Sequence, residues 1–415
     1  MKLQVKTLSP VHIGNGERHN GLSYVEDIFS NPKKVFIVDF DRIKKLLNQT
    51  DLESFMNWVV SEDHPSWFKF CKFELNKLQL QNEFKKISTY TLHNYSTEKY
   101  LREIDCFIKQ NNKPYIPGTE IKGALRTAVL YALLNKESYL WSSTSDWRDN
   151  VERKLNELIK DIKEFGNRHA ANITRLKDKR LERWMKDEKR IKEKYLVNEM
   201  KVIQENLQED ILRAINNTDA KYDLLKLLHI GDTELKDPSQ CLFVSNVMTL
   251  NINRGFPLFQ ELCKRDQIFN CQGFKLDNNK TILNKLGFSD EQKWIVSDVK
   301  NLFHCCYEFS SKLLEEEIDY FIKINQSKIV SKLKVIAQQN NPDSPVIRIG
   351  KNEGYLSMTM GLLVKDKDKT LYDNVLCHAT KNTSYTGNFP KTRRIVNLEN
   401  GDIDTCGWVK LQMII

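Results

Sequence analysis

Ile116-Pro117-Gly118-Thr119-Glu120-Ile121-Lys122-Gly123-Ala124-Leu125-Arg126 reads as the end of a strand-like segment followed by a helix start. Pro117 and Gly118 stop what precedes them, and the Thr119 hydroxyl can cap the first turn. Ile121, Leu125, Val129 and Ala132 then recur at helical spacing and give the helix one core face, running to about Leu134. Lys122 and Arg126 stand four apart, so both project from one side. There, free N–H groups and the helix dipole favour an anion such as phosphate. Gly123 costs helix stability relative to alanine, which points to a backbone packed closely against it. The same residues also suit an ordinary amphipathic helix with two solvated cations, and the motif alone leaves both readings open.

Upstream, Lys2 to Ile13 alternates as a strand, Leu22 to Phe29 reads as a second, and Lys34 to Asp39 as a third. A helix is expected from about Asp41 to Val60, with Ile43, Leu46, Leu47 and Phe55 inward, and a strand over Tyr100 to Phe107. Downstream, Trp147 to Arg213 holds 18 Lys/Arg against 14 Asp/Glu, with no proline and one glycine. Pairs such as Lys160/Glu164 and Lys189/Glu193 lace it as solvated helices are laced. It reads as an inserted helical hairpin, either a structural arm or a contact for RNA or a partner. Apolar strand sequence resumes at Cys241 to Val247, and Gln267 to Leu276 reads as a further strand. Asp298 to Ile324 is expected as a long amphipathic helix with Phe303, Tyr307, Leu314, Ile318 and Phe321 inward. Strands alternating with helices of unequal length predict an α+β chain, and 415 residues allow two domains.

The net charge of +9 points to an anionic partner, while 29% charged and 40% hydrophobic residues describe a soluble, folded protein. No run approaches the roughly 20 apolar residues that span a bilayer. The chain opens directly as an alternating strand, so a cytoplasmic protein with no membrane partner is expected. The nine cysteines are scattered and form no C-x-x-C pair. They are expected reduced and buried, with no metal and no other cofactor.

Three further stretches carry chemistry. Arg348-Ile349-Gly350-Lys351-Asn352-Glu353-Gly354-Tyr355 is bounded by glycines but lacks both the Walker A and the G-x-G-x-x-G spacing. Its N–H groups, between Arg348 and Lys351, can approach a phosphate; a simple tight turn explains it equally well. Lys391, Arg393 and Arg394 cluster after Pro390, near Tyr385 and Phe389. That mixture suits single-stranded RNA, with a solvated loop as the plain alternative. His12, with His19 close in sequence and Lys122 as a phosphate partner, has the chemistry of a general acid or base. A histidine entering a glycine turn from a strand is more often structural. Asp27 lies in strand sequence, and no carboxylate cluster suggests a two-metal centre.

The Gly118 to Arg126 run resembles the helix signature of the RAMP superfamily, CRISPR proteins built from tandem RRM-like domains. Leu8-Ser9-Pro10-Val11-His12-Ile13-Gly14-Asn15-Gly16-Glu17 resembles their first strand and loop, and Arg348 to Tyr355 their late glycine-rich loop. Pro390 to Arg394, followed by Gly407-Trp408-Val409-Lys410-Leu411, is similar to the end of one branch, the fifth Csm subunit of type III-A effector complexes. These blocks keep the family's order from Leu8 to Leu411.

The resemblance implies two tandem RRM-like (ferredoxin-like) RAMP domains at 1–255 and 256–415. The first would carry the helical insertion at about 147–213 and the second the glycine-rich loop. It implies a non-catalytic subunit that caps the backbone filament, holds the 3′ part of the CRISPR RNA (crRNA) and assists crRNA maturation in antiviral defence. The implied partners are crRNA, the other Csm backbone subunits and, for maturation, host nucleases. The implied RNA-binding residues are His12, Lys122, Arg126, Arg348, Gly350, Lys351, Gly354, Lys391, Arg393 and Arg394. Two other readings remain open: a RAMP endoribonuclease that processes the CRISPR RNA precursor through His12, and a protein–protein adaptor whose basic surface meets acidic partners.

Overall fold

Leu3, Val5 and Thr7 face inward along strand β1 (Lys2–Thr7) while Lys2, Gln4 and Lys6 face outward, the period-two pattern of a strand with one buried face. In the computed structural model, residues 2–27, 32–136, 211–214, 219–250, 257–367, 369, 372–373 and 390–414 are described. The expected helical insertion lies outside these residues except at its last three positions. The 255/256 boundary, Tyr385 and Phe389 lie outside them as well.

After β1 come β2 (Gly14–His19), β3 (Tyr24–Asp27), β4 (Lys34–Ile37), β5 (Tyr90–Asn94), β6 (Ile104–Phe107), β7 (Lys109–Gln110) and β8 (Lys113–Pro114). The second half of the chain adds β9 (Leu228–Ile230), β10 (Leu242–Thr249), β11 (Leu258–Cys263), β12 (Ile268–Asn270) and β13 (Phe274–Leu276). It ends with β14 (Val346–Arg348), β15 (Arg394–Asn397), β16 (Ile403–Asp404) and β17 (Trp408–Ile414). Among the described residues one sheet of four strands runs β12-β1-β17-β14, antiparallel throughout. A larger sheet runs β2-β6-β11-β10-β5-β4-β3, with β15 beside β10 and β16 beside β15. Within it, β10 and β5 are parallel, as are β11 and β6.

The α+β class holds, but sheet membership does not follow the order of the chain. The N-terminal β1 lies between β12 and β17, and β11 pairs with β10 across the expected boundary. Several elements are shorter than the sequence pattern predicts. The first strand ends at Thr7, and the expected helix over 41–60 is two helices, Phe40–Lys44 and Gln49–Ser61. The Asn48 side chain caps the second of these, and Leu46 beside the break is exposed. The stretch 267–276 splits into β12 and β13, and β13 joins β9 in a separate two-stranded ribbon.

Two helices cover the core. The long helix Val299–Lys323 matches the expected span, capped by Asp298, with Phe303, Leu314 and Phe321 buried and Tyr307 and Ile318 half-buried. The motif helix Gly118–Lys136 buries Ile121, Leu125, Val129 and Ala132 as expected, and its Tyr131 meets Phe309 of the long helix edge to face at 5.3 Å. It begins at Gly118, so Thr119 stands exposed inside the first turn instead of capping it. The close approach is also at Gly118 and not at Gly123. A Cβ on Gly118 would lie 2.2 Å from the Ile230 carbonyl oxygen, whereas one on Gly123 would meet nothing within 4 Å.

The long helix is tied to the strands by one buried carboxylate. Glu317, 1% exposed, accepts from Arg348 Nη1 at 3.1 Å and from Arg393 Nε at 2.5 Å. Arg348 also donates to the Cys406 carbonyl at 2.9 Å and lies over the Trp408 ring, while Arg393 lies over Tyr320. The eight described cysteines are buried and unbridged, as expected. Among the described residues no helix is long and apolar enough to cross a membrane.

Two outcomes are expected in thermal or denaturant unfolding. Gly118→Ala loses about 1–3 kcal/mol because main chain must move, whereas Gly123→Ala gains about 0.5–1 kcal/mol from helix propensity. Glu317→Ala, which leaves two buried guanidiniums without a counter-charge, loses about 3–5 kcal/mol. A Gly123→Ala protein less stable than Gly118→Ala contradicts the packing described.

Candidate nucleic-acid interface

The segment Leu8 to Ile13 carries the first signature block, and main-chain hydrogen bonds anchor it on all sides. Leu8 and Ser9 N–H donate to the Trp408 carbonyl at 2.8 and 3.2 Å, and Gly407 N–H donates to the Pro10 carbonyl at 2.8 Å. Val11 and Cys263 exchange both of their bonds, and Ile108 N–H donates to the Ile13 carbonyl at 2.7 Å. The glycine-rich loop sits on the same segment, with Lys351 N–H donating to the His12 carbonyl at 2.9 Å. Gly350 has φ +88°, and a Cβ there would lie 2.4 Å from that carbonyl oxygen, so only glycine fits. Burial pushes the Glu120 carboxyl of the motif helix up and the Gly350 backbone opposes it, bringing two signature blocks together.

From this junction a ladder of polar side chains crosses the larger sheet. Arg18 Nε and Lys351 Nζ both donate to Asp105, at 2.9 and 2.7 Å on its two oxygens. Gln260 donates to Asp105 at 3.2 Å, Asn352 donates to Gln260 at 2.7 Å, and Arg394 Nη1 donates to Asn352 at 2.9 Å. Burial pushes the Asp105 carboxyl up, but the Lys351 and Gln260 bonds outweigh it and hold the group below its usual value. The Arg18 and Lys351 side chains are 56% and 45% exposed while Asp105 is 12% exposed, so the ladder fixes both cations from beneath; Arg18 Nη1 also donates to the exposed Glu103 at 2.9 Å. Burial pushes the Glu353 carboxyl of the same loop up to about 8, with Arg348 opposing and Glu120 adding. A carboxyl raised this far is mostly protonated at pH 7 and repels an anion at the loop less than an ordinary glutamate would.

The sequence-predicted residues divide into two groups. Lys351, Arg394, Gly350 and Gly354 belong to this junction, and Lys391 is exposed close by in sequence, its carbonyl accepting from Tyr320. The others are turned to internal partners. Lys122 Nζ donates to the Leu228 carbonyl at 2.7 Å, Arg126 pairs with Asp223 at 2.7 Å, and Gly118 N–H donates to Asp232 at 2.9 Å. The helix start does hold anions, but they are the chain's own. Arg348 and Arg393 are buried on Glu317 and present no charge to solvent.

His12 is buried, with Nδ1 on the Glu261 carbonyl at 2.7 Å and Nε2 without a protein partner; burial holds its pKa low. Behind it, Glu261 is fully buried and binds Tyr90 OH at 2.9 Å, His19 Nε2 at 3.2 Å, Phe107 N–H at 2.8 Å and Lys109. Donor atoms of His19, Cys106 and Glu261 lie within 4.8 Å of one another, but the Lys109 ammonium already neutralises that carboxylate. Arg18, Asp105, Gln260 and Asn352 were not expected as site residues. Their signal was present in the polar Gln260-Glu261 pair and in Asp105, set inside otherwise apolar strand sequence.

Comparison with known proteins agrees with the fold. The chain is 24% identical to the CRISPR system Cms protein Csm5 of Methanocaldococcus jannaschii over 100% of its own length and 89% of that protein. It is 25% identical to the Csm5 of Streptococcus thermophilus over 40% of this chain and 44% of that one. Among solved structures, a chain of a Csm–crRNA–target RNA ternary complex from a type III-A CRISPR-Cas system superposes with a TM-score of 0.66 at 21% identity, covering 99% of this chain and 100% of that one. The T. onnurineus Csm5 crystal structure gives 0.63 at 22% identity, covering 98% and 99%. Residues 4–321 match the RAMP superfamily, a span that takes in the first signature block, the motif helix and most of the long helix, and the chain belongs to that superfamily.

Proposed function

We propose that this chain is an RNA-binding subunit of a type III-A CRISPR (Csm) effector complex. In this role it caps the protein backbone at the 3′ part of the crRNA and assists maturation of that end. The observation that carries the reading is the ladder from Arg18 to Arg394, which aims fixed cations outward beside a glycine-rich loop. Cations held by amides and by the Asp105 carboxylate, with Glu103 also on Arg18, contact a phosphate backbone without reading bases, as a guide of any spacer sequence requires. Full-length similarity to a Csm5 supports the assignment to this assembly. Other Csm subunits and crRNA are its partners, and host nucleases do the trimming. The chain itself is a holder, because His12 sits below the surface and its ring is bonded to the Glu261 carbonyl.

Three measurements test this. Lys351→Ala with Arg394→Ala should weaken binding of a labelled single-stranded RNA and lower the slope of log K against log salt by roughly 0.7 per lost phosphate contact. Lys122→Ala should leave that slope unchanged, since its ammonium is committed to Leu228. Affinity should fall as pH rises through about 8, where Glu353 ionises and repels phosphate, and Glu353→Gln should remove that dependence. A flat profile in the unmodified protein contradicts the loop's role. Incubation with repeat RNA in EDTA should give no product; a product lost on His12→Ala would establish the endoribonuclease instead.

A further inference from the structure

Away from the ladder, the short helical stretch Trp67 to Glu74 divides its aromatic residues between two faces. Trp67 and Phe70 are fully buried with Phe84 in a separate apolar cluster, while Phe73 is 69% exposed. The cause is a widened turn: Phe70–Glu74 is π-helical, with Leu75 N–H donating to the Phe70 carbonyl at 3.0 Å. The inserted residue turns Phe73 outward, and such turns recur at functional sites. Phe68 lies 6.3 Å from Phe73, ring centre to ring centre, and also 6.3 Å from Tyr100, which is 49% exposed. Lys72 Nζ lies 5.3 Å from the Phe68 ring and 5.0 Å from the Phe73 ring, and Lys99 Nζ lies 5.3 Å from Tyr100.

We infer that Phe68, Phe73 and Tyr100, with Lys72 and Lys99, form a stacking platform for bases of a single-stranded RNA, separate from the phosphate-holding ladder. Phe73 stands edge-on to Phe68 at 87° and Tyr100 is tilted to it by 39°, with Lys72 over the first two rings and Lys99 over the third, so the cluster supplies the two things such a strand needs: rings for bases and cations for the phosphates between them. Leaving large rings in water is unfavourable, and neither Phe73 nor the Tyr100 ring contributes to the buried apolar clusters. Because every base has a π-face, the platform is indifferent to sequence. The inference rests on the RNA-binding reading only for the identity of the strand.

The test uses the full chain and a labelled single-stranded RNA of mixed sequence carrying 4-thiouridine. Phe73→Ala and Tyr100→Ala should each weaken binding by about 5- to 100-fold, as loss of one stacked base does. The salt slope should stay unchanged, whereas Lys72→Ala should lower it by roughly 0.7. Phe73→Trp should restore affinity, and photocrosslinks should map to peptides containing Phe73 or Tyr100. The melting temperature should not move for Phe73→Ala, because the ring is outside the core. If Phe73→Ala and Tyr100→Ala bind RNA like the unmodified protein while Lys351→Ala with Arg394→Ala does not, the platform is wrong and the proposed function stands. If the Phe73 variant instead loses association with another Csm subunit at unchanged RNA affinity, the rings are a protein contact and the inference is overturned. An unmodified protein that binds no RNA removes both readings.

Discussion

Everything near the candidate interface depends on the path of six residues, Leu8 to Ile13. They belong to neither sheet as strand, yet their amides and carbonyls are shared among the chain around Trp408, Cys263, Ile108 and the glycine-rich loop. A buried segment of this kind must have its backbone groups satisfied, and here each sheet supplies part of the satisfaction. The two sheets are thereby held at one fixed relation, and the loop that rests on His12 inherits it. The absence of a side chain at Gly350 is what lets the loop lie directly on this segment.

Charge is distributed by the same logic. A net +9 suggests a surface ready for an anion, but much of the charge that the sequence motifs display is used internally. Arg348 and Arg393 share Glu317, Lys109 lies on Glu261, and Arg126 lies on Asp223. Buried pairs of this sort are near neutral in overall energy and costly to break, so they act as registration devices more than as sources of stability. Among the described residues of the junction, the cations supported from below are Arg18, which also meets Glu103, Lys351 and Arg394, beside a carboxyl that burial pushes up.

The long helix over 299–323 and the motif helix over 118–136 were legible because their apolar residues repeat at helical spacing over many turns. The glycine-rich loop was legible as a glycine-bounded turn, but not its seat on His12, where Gly350 leaves no room for a side chain. What was hidden is pairing between distant parts of the chain. Nothing local to Lys122 and Arg126 says that Leu228 and Asp223 will occupy them, and nothing around Arg348 announces Glu317. Gly123 looked like the tight contact because glycine inside a helix is unfavourable, yet Gly118, at the helix start where glycine is unremarkable, meets the Ile230 carbonyl. Phe73 was passed over because a single phenylalanine among charged residues gives no periodic signal; only the widened turn shows which way it faces.

The pairing of β1 with β17 has a consequence in time. Lys2 is opposite Ile414 and Thr7 is opposite Val409, so β1 receives its main partner from a strand made about 400 residues later. At roughly 5–20 residues per second of synthesis, that partner emerges about 20–80 seconds later. Throughout that interval Leu3 and Val5 have no β17 to cover them. The larger sheet can collect most of its strands before β17 is made, but the smaller one closes only once β17 is present. A nascent chain of this protein therefore carries an open strand edge until β17 arrives, and the cell must keep that edge from pairing with a neighbour.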